Sequence, residues 1–176
     1  MAINIADYIR NVPDFPVAGV QFKDITSLLL SPAAFSDTID RMVAHAGASK
    51  PDCLAAIDSR GFLFAAPMAV RMQLPLLLIR KAGKLPGETL EFDYSLEYGN
   101  STLEIHAGDI TPGHRVLIID DLLATGGSLN AAVSLIEKAG GITASIGVVI
   151  ELIGLGGRDA LSGYHLFSLV SFEVDE

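Results

Sequence analysis

The chain has 176 residues, half of them hydrophobic, enough for one domain with a full core. Twelve basic against 21 acidic side chains give a formal net charge of −9 and a pI near 4.8, which argues against a nucleic-acid-binding surface. Mean hydropathy is high at +0.44, yet runs such as Leu74–Ile79 and Ile142–Ile150 are far shorter than the about 20 residues a bilayer requires, so no membrane partner is expected.

In chain order, a short amphipathic helix is expected over about Ile3–Val12, ended by Pro13. Asp7 comes early and no basic stretch precedes it, so no secretory signal is read there. A turn-rich stretch, PDFPVAGVQFKDIT, leads to a helix that starts after Ser31, with Pro32 at its first position, and runs to about Ala46. Strands are predicted at about Cys53–Ile57, Leu76–Ile79, Arg115–Ile119, Ala144–Ile150 and His165–Leu169, with helices at about Gly61–Met72 and Gly127–Ala139. Alternating apolar strands and helices predict an α/β fold, a mostly parallel central sheet covered on both faces. The single Cys53 excludes an internal disulfide framework and fits a reducing, cytoplasmic setting. Between Gly83 and Gly113, alternation around Tyr94–Glu97 and Leu103–Ile105 predicts a polar antiparallel hairpin outside the main sheet. Excursions of that length are usually functional, often lids. GLGGRD, Gly154–Asp159, lacks the last glycine of the dinucleotide pattern and reads as a loop. His45, His106, His114 and His165 lack metal-ligand spacing. No domain boundary is visible, so residues 1–176 are read as one domain.

The most informative segment is VLIIDDLLATGGS, Val116–Ser128. Four apolar residues run into Asp120 and Asp121 at the carboxyl end of a buried strand, where open α/β sheets place ligands. Ala124, Thr125, Gly126, Gly127 and Ser128 form the turn into the next helix. The unpartnered N–H groups and positive dipole end of that helix suit an anion, and the Thr125 and Ser128 hydroxyls add donors. Two carboxylates do not share a phosphate; they accept hydrogen bonds from a diol. A phosphate and a diol on one compact site describe a ribose 5-phosphate.

A second strand-turn-helix, AAIDSRGF, puts Asp58, Ser59 and Arg60 at a turn. A cation at a helix start is disfavoured by the dipole, so Arg60 either faces a bound anion or pairs with Asp58 or Asp52. IRKAGKLPGET carries Arg80, Lys81 and Lys84 off the same sheet end, where they are a solvated charge run or converge on one pyrophosphate. This clustering sets local cations against an acidic global field. Taken alone, Phe22 reads as a core aromatic, and Glu97 and Tyr98 as surface residues.

DDLLATGG resembles the phosphoribosyl-pyrophosphate motif of the type I phosphoribosyltransferases, in the wording of the adenine-specific members. DSRGF, RKAGKLPG and SLEYG extend the resemblance, which spans Phe15 to about Phe172. It implies a mostly parallel sheet with a small hood from about residues 13–30 and 151–176, and a flexible hairpin loop over about 83–106. Asp120 and Asp121 would hold the ribose hydroxyls and Ala124–Ser128 the 5′-phosphate. Asp58, Ser59, Arg60, Arg80, Lys81 and Lys84 would surround pyrophosphate, and a cis peptide without proline is implied in the DSRGF loop. Gln21, Phe22 and Lys23, with Leu152 on the other ring face, would bind adenine; these enzymes commonly have arginine where Lys23 stands. Glu97, with Tyr98 and Arg60, would form the catalytic set, Glu97 as general acid at purine N7, its pKa raised by loop closure. The implied reaction joins adenine to 5-phospho-α-ribose 1-diphosphate (PRPP), giving AMP and pyrophosphate. Mg²⁺ would be held mainly by substrate and water, and the chain would be a homodimer. A 6-oxopurine enzyme such as a xanthine phosphoribosyltransferase, or a non-catalytic purine sensor on the same fold, are the alternatives.

Overall fold

The computed structural model describes residues 3–96 and 99–174. The chain starts differently from the expected helix over Ile3–Val12. A single 3-10 turn, Ile5–Tyr8, buries Ile5, and the chain then extends as β1 (Arg10–Pro13) against β2 (Gln21–Asp24). Antiparallel pairing sets Val12 opposite Phe22, and Arg10 reaches Asp24 with Nη2–Oδ2 at 2.5 Å. Pairing with a segment about ten residues away overrides the local helical spacing. After α1 (Thr26–Leu29) comes α2 (Pro32–Gly47), begun as expected: the Ser31 hydroxyl accepts from Ala34 N at 3.3 Å. One face of α2 buries Ala34, Thr38, Ile39, Met42 and Ala46.

Seven strands then build the main sheet: β3 (Cys53–Ile57), β4 (Leu76–Lys81), β5 (Thr89–Leu96), β6 (Gly99–His106), β7 (Arg115–Leu123), β8 (Ile142–Ile153) and β9 (Leu166–Glu173). The helices between them are α3 (Arg60–Met72), α4 (Gly127–Lys138) and the short α5 (Gly157–Ala160). The strand order is β5-β6-β4-β3-β7-β8-β9, with neighbours among β4, β3, β7, β8 and β9 parallel. Continuous apolar runs are needed because each strand serves two cores. Cys53, Ala55, Ile57, Val116 and Ile118 face α4, while Leu54, Ala56, Leu117 and Ile119 face α2 and α3. Full burial of one such aliphatic side chain stabilises the fold by about 1.5–3 kcal/mol. Burial also pushes the Cys53 thiol up to about 11, helped by the Asp52 charge, so this cysteine is packing rather than chemistry.

The hairpin corrects a second expectation. β5 and β6 pair along their length, but β6 also pairs antiparallel with β4, Arg80 opposite Glu104 and Lys81 opposite Leu103. The excursion therefore extends the main sheet instead of standing outside it. Its inward side chains Leu103 and Ile105 belong to the α4-side core. GLGGRD is likewise only partly loop, since α5 begins at Gly157. Among the described residues no helix is long and apolar enough to cross a membrane.

Candidate active site

Counting only the parallel strands, β3 and β7 are the first and third in sequence and lie side by side, so the chain leaves them in opposite lateral directions. Ligands of doubly wound sheets bind at such a switch point, beyond the carboxyl ends of the strands. Three turns meet here: β3–α3, β4–β5 and β7–α4. The β7–α4 turn passes Gly126 at φ +85° and enters α4, where Asn130 N closes the first helical bond to Gly126 O at 2.8 Å. A cleft of about 210 Å³ opens over it, lined by Arg60 and by Asp120 through Leu129. The Ser128 hydroxyl lies 3.4 Å from the Tyr94 hydroxyl, so the β5–β6 hairpin touches the turn.

β7 runs past its expected end at Ile119 to Leu123, so Asp120 and Asp121 lie within the last four residues of the strand, ahead of the turn. Gly61, at the start of α3, packs onto the same strand end: a Cβ there would lie 2.8 Å from Ile119 O and 3.2 Å from Asp120 Oδ1. Only glycine lets α3 approach the acid pair so closely. Asp121 N donates to Asp120 Oδ1 at 2.8 Å. Burial, then the Asp121 charge, pushes the Asp120 carboxyl well above the usual carboxylate range. Burial raises Asp121 as well, opposed by the Arg60 guanidinium. Arg60 Nε stands 3.1 Å from Asp121 Oδ2, but at an angle too poor for a hydrogen bond, so that buried oxygen has no donor among the described residues. Arg60 thus pairs with neither Asp58 nor Asp52. Its guanidinium also stands 5.1 Å from the centre of the Phe22 ring, joining the acid pair to the aromatic hood.

The DSRGF loop contains the expected non-proline cis peptide, between Asp58 and Ser59. Arg80 ties this loop to the next: Nε donates to Asp58 Oδ2 at 2.9 Å and Nη1 to the Lys84 carbonyl at 3.1 Å. Lys81 and Lys84 are exposed, with no acidic partner within 4 Å among the described residues. Glu104, which the sequence reading missed, holds the Lys84 turn from β6. Its Oε1 accepts from Lys84 N and Leu85 N, both at 2.7 Å, while the residue is only 2% exposed. Burial pushes that carboxyl up, but the N–H groups of Leu85, Lys84 and Gly83 and the Thr89 hydroxyl outweigh it and hold it low.

In the hood, the Phe22 ring packs edge-on against Phe15, with centroids 5.1 Å apart. Gln21 is exposed, its amide oxygen accepting from Asn11 at 2.7 Å. Lys23 donates to Asn11 Oδ1 at 3.2 Å and sits 4.5 Å over the Phe172 ring, linking β2 to β9. Leu152, near the end of β8, is half-buried.

The model of the phosphoribosyl transferase domain matches residues 27–165. An adenine phosphoribosyltransferase of Chloroflexus aurantiacus is 51% identical over 169 residues, covering 96% of this chain and 98% of that protein. The chain belongs to the adenine phosphoribosyltransferase family. Among solved structures, the family member from Thermoanaerobacter pseudethanolicus superposes with a TM-score of 0.93 at 47% identity, covering 96% and 98% of the two chains. The Saccharomyces cerevisiae enzyme, complexed with an imino-altritol bisphosphate and adenine, gives 0.90 at 35% identity, covering 94% and 96%.

For this phosphoribosyltransferase, the structure brings Arg60, Asp120, Asp121 and Ala124–Ser128 around one cleft, with Phe22 against Arg60. Asp58 and Ser59 precede Arg60 on its loop, with Arg80 bonded to Asp58, but none of the three lines the cleft itself. Lys23 is directed to Asn11 and Phe172, so its charge serves the hood's own structure. Glu97 and Tyr98 lie outside the described residues.

Proposed function

We propose that this enzyme transfers the 5-phosphoribosyl group of PRPP to adenine, releasing pyrophosphate and forming AMP. The observation that carries this reading is the place of Arg60. One guanidinium stands 3.1 Å from Asp121 of the acid pair on one side and 5.1 Å from the centre of the Phe22 ring on the other, with the phosphate turn lining the same cleft. A phosphate at Ala124–Ser128 and a diol at Asp120 and Asp121 fix the sugar. Asp121 Oδ2, lacking a hydrogen-bond donor, is ready to accept one hydroxyl. Adenine lies on Phe22, with Leu152 on its other face, under a hood drawn from about residues 13–30 and 151–176.

Adenine N9 forms the new bond to C1′ as the bond from C1′ to the diphosphate oxygen breaks, and both electrons of that bond leave with pyrophosphate. Charge passes from base to leaving group through an oxocarbenium-like centre, so preorganised cations on the diphosphate lower the barrier. Arg60, Lys81 and Lys84 fill that role, and Arg80 with Asp58 positions the loops carrying them. Glu97 follows β5 in the chain, with Tyr98 next to it in sequence. It accepts the N7 proton that adenine gives up as N9 bonds to C1′, directly or through a water, and returns it as the general acid in the reverse direction. Among the described residues no three acidic, histidine or cysteine side chains cluster to hold a metal. A Mg²⁺ held mainly by substrate oxygens and water, as Mg²⁺ prefers, would be received by the acid pair and the Asp58 carboxylate and would neutralise diphosphate charge. A homodimer in the cytoplasm completes the reading; light scattering of the purified protein checks the first.

Pyrophosphate release measured with PRPP, Mg²⁺ and each of adenine, hypoxanthine, guanine and xanthine tests the proposal. Turnover with adenine alone supports it. Turnover with a 6-oxopurine moves the specificity and makes the hood's reading wrong. Tight AMP binding with no turnover favours a sensor.

A further inference from the structure

Against the phosphate turn, and not among the residues lining the cleft, stands Gly157 at the start of α5. A Cβ built on Gly157 would run into the Ala124 carbonyl oxygen and lie 2.7 Å from Leu123 Cδ1. One built on Gly126 would lie 3.1 Å from Gly157 O. The two backbones are therefore closely packed, with no room for a side chain on Gly157 and a tight fit for one on Gly126. The next residue fastens this contact to the sheet. Arg158 Nε donates to Glu151 Oε1 at 2.7 Å and Nη2 to Oε2 at 2.5 Å, and the Ser168 hydroxyl donates to Oε2 at 2.7 Å. Glu151 is 7% exposed and sits on β8, in register with Leu123 of β7. The Arg158 hydrogen bond holds its carboxyl below the usual range, outweighing burial, with Ser168 assisting.

This pair is not built chiefly for global stability. Its arginine side chain is 52% exposed, so solvent screens the pair and discounts its part in the folding free energy, although Glu151 itself is buried. What a two-point fork does supply is direction. It fixes the Gly157–Arg158 peptide relative to β8, and Gly157 in turn bears on Ala124.

We propose that Gly157, Arg158 and Glu151 form a backstop that sets the position of the Ala124–Ser128 turn, Arg158 and Glu151 being positioning residues for the 5′-phosphate. The inference rests on reading that turn as the phosphate site. It predicts that disturbing the backstop weakens 5′-phosphorylated ligands and leaves the nucleoside part alone.

Calorimetric titration of the full-length enzyme with AMP and with adenosine separates the two. Wild type binds AMP more tightly. Arg158→Met lowers AMP affinity about tenfold, the scale of a small misplacement of binding groups, and leaves adenosine affinity within about twofold. Arg158→Lys, which keeps the charge but loses the fork, falls between. Gly157→Ala, which must displace Ala124, loses more than Arg158→Met. Circular dichroism confirms which variants are folded; should Gly157→Ala fail to fold, the two arginine variants decide. AMP and adenosine weakened equally, or neither weakened, in the folded arginine variants overturns the backstop. A wild type that binds adenosine as tightly as AMP overturns the phosphate reading, and the backstop with it.

Discussion

On the proposed function, the phosphate turn and the base hood solve the same problem, holding part of one substrate, by opposite means. The turn is a single stretch of chain, Asp120–Ser128, pinned between a buried strand and a helix. The hood is assembled from distant pieces: β1 and β2 pair, Lys23 reaches β9 at Phe172, and Phe22 leans on Phe15 and on Arg60 of α3. Backbone groups held by the main sheet give the turn a geometry that few side-chain changes will move. The hood depends on side-chain contacts near the surface, with Phe15 51% exposed. It is the half in which base selectivity can vary while sugar binding stays fixed.

The joint between the two regions should be the most sensitive point. Arg60→Ala removes the contact to Asp121, the face against Phe22 and a cation for the diphosphate together. It should lower kcat/KM by roughly 10²–10³, the cost typical of losing one preorganised charge-stabilising group, as measured by steady-state pyrophosphate release. A loss confined to KM for adenine would mean that Arg60 belongs to the hood alone.

Phe22→Ala sharpens the contrast from the other side. Stacking a base on an aromatic ring is worth about 1–3 kcal/mol, so KM for adenine should rise about tenfold while KM for PRPP stays near wild type. An equal rise in both would show that hood and turn do not act separately.

Asp120→Asn examines what the buried turn costs the fold. Because burial and Asp121 raise the Asp120 carboxyl, the native state binds a proton more readily than the unfolded chain does. The wild-type pair therefore loses stability as pH rises above the unfolded value near 4. Asparagine keeps an oxygen to accept from Asp121 N and does not titrate. Its Tm should exceed wild type at pH 8 by about 2–4 °C, the shift expected for about 1 kcal/mol in a chain of this size, and the gain should vanish towards pH 4. Activity should fall over the same range. A variant less stable at pH 8 would contradict the raised carboxyl.

Lys23→Arg should do least. Lys23 points to Asn11 and Phe172, so arginine in its place should change KM for adenine by no more than about twofold.

The same contrast explains what could be read in advance. The turn was legible because strand, acids, glycines and helix start are contiguous, and β3 fell on Cys53–Ile57 because a doubly buried strand is apolar at every position. The hood was proposed only through family resemblance, and the chain leading into it was misread: spacing over Ile3–Val12 suggested a helix where β1 pairs with β2. Pairing partners far along the chain leave no local mark. Nothing near Arg60 indicates Asp121 over Asp58, and nothing near Glu104 indicates that its carboxylate holds the Lys84 turn. The docking of β6 on β4 escaped for the same reason, since alternation reveals a hairpin but not the edge it joins.

The central claim is that one cleft at the β3–β7 switch point holds phosphate, diol and base in line. A crystal structure with AMP bound tests it most directly. The account predicts the 5′-phosphate on the N–H groups of Ala124–Ser128, the ribose hydroxyls on Asp120 and Asp121, and adenine between Phe22 and Leu152. AMP with its phosphate among Arg60, Lys81 and Lys84, or its base away from Phe22, would contradict it.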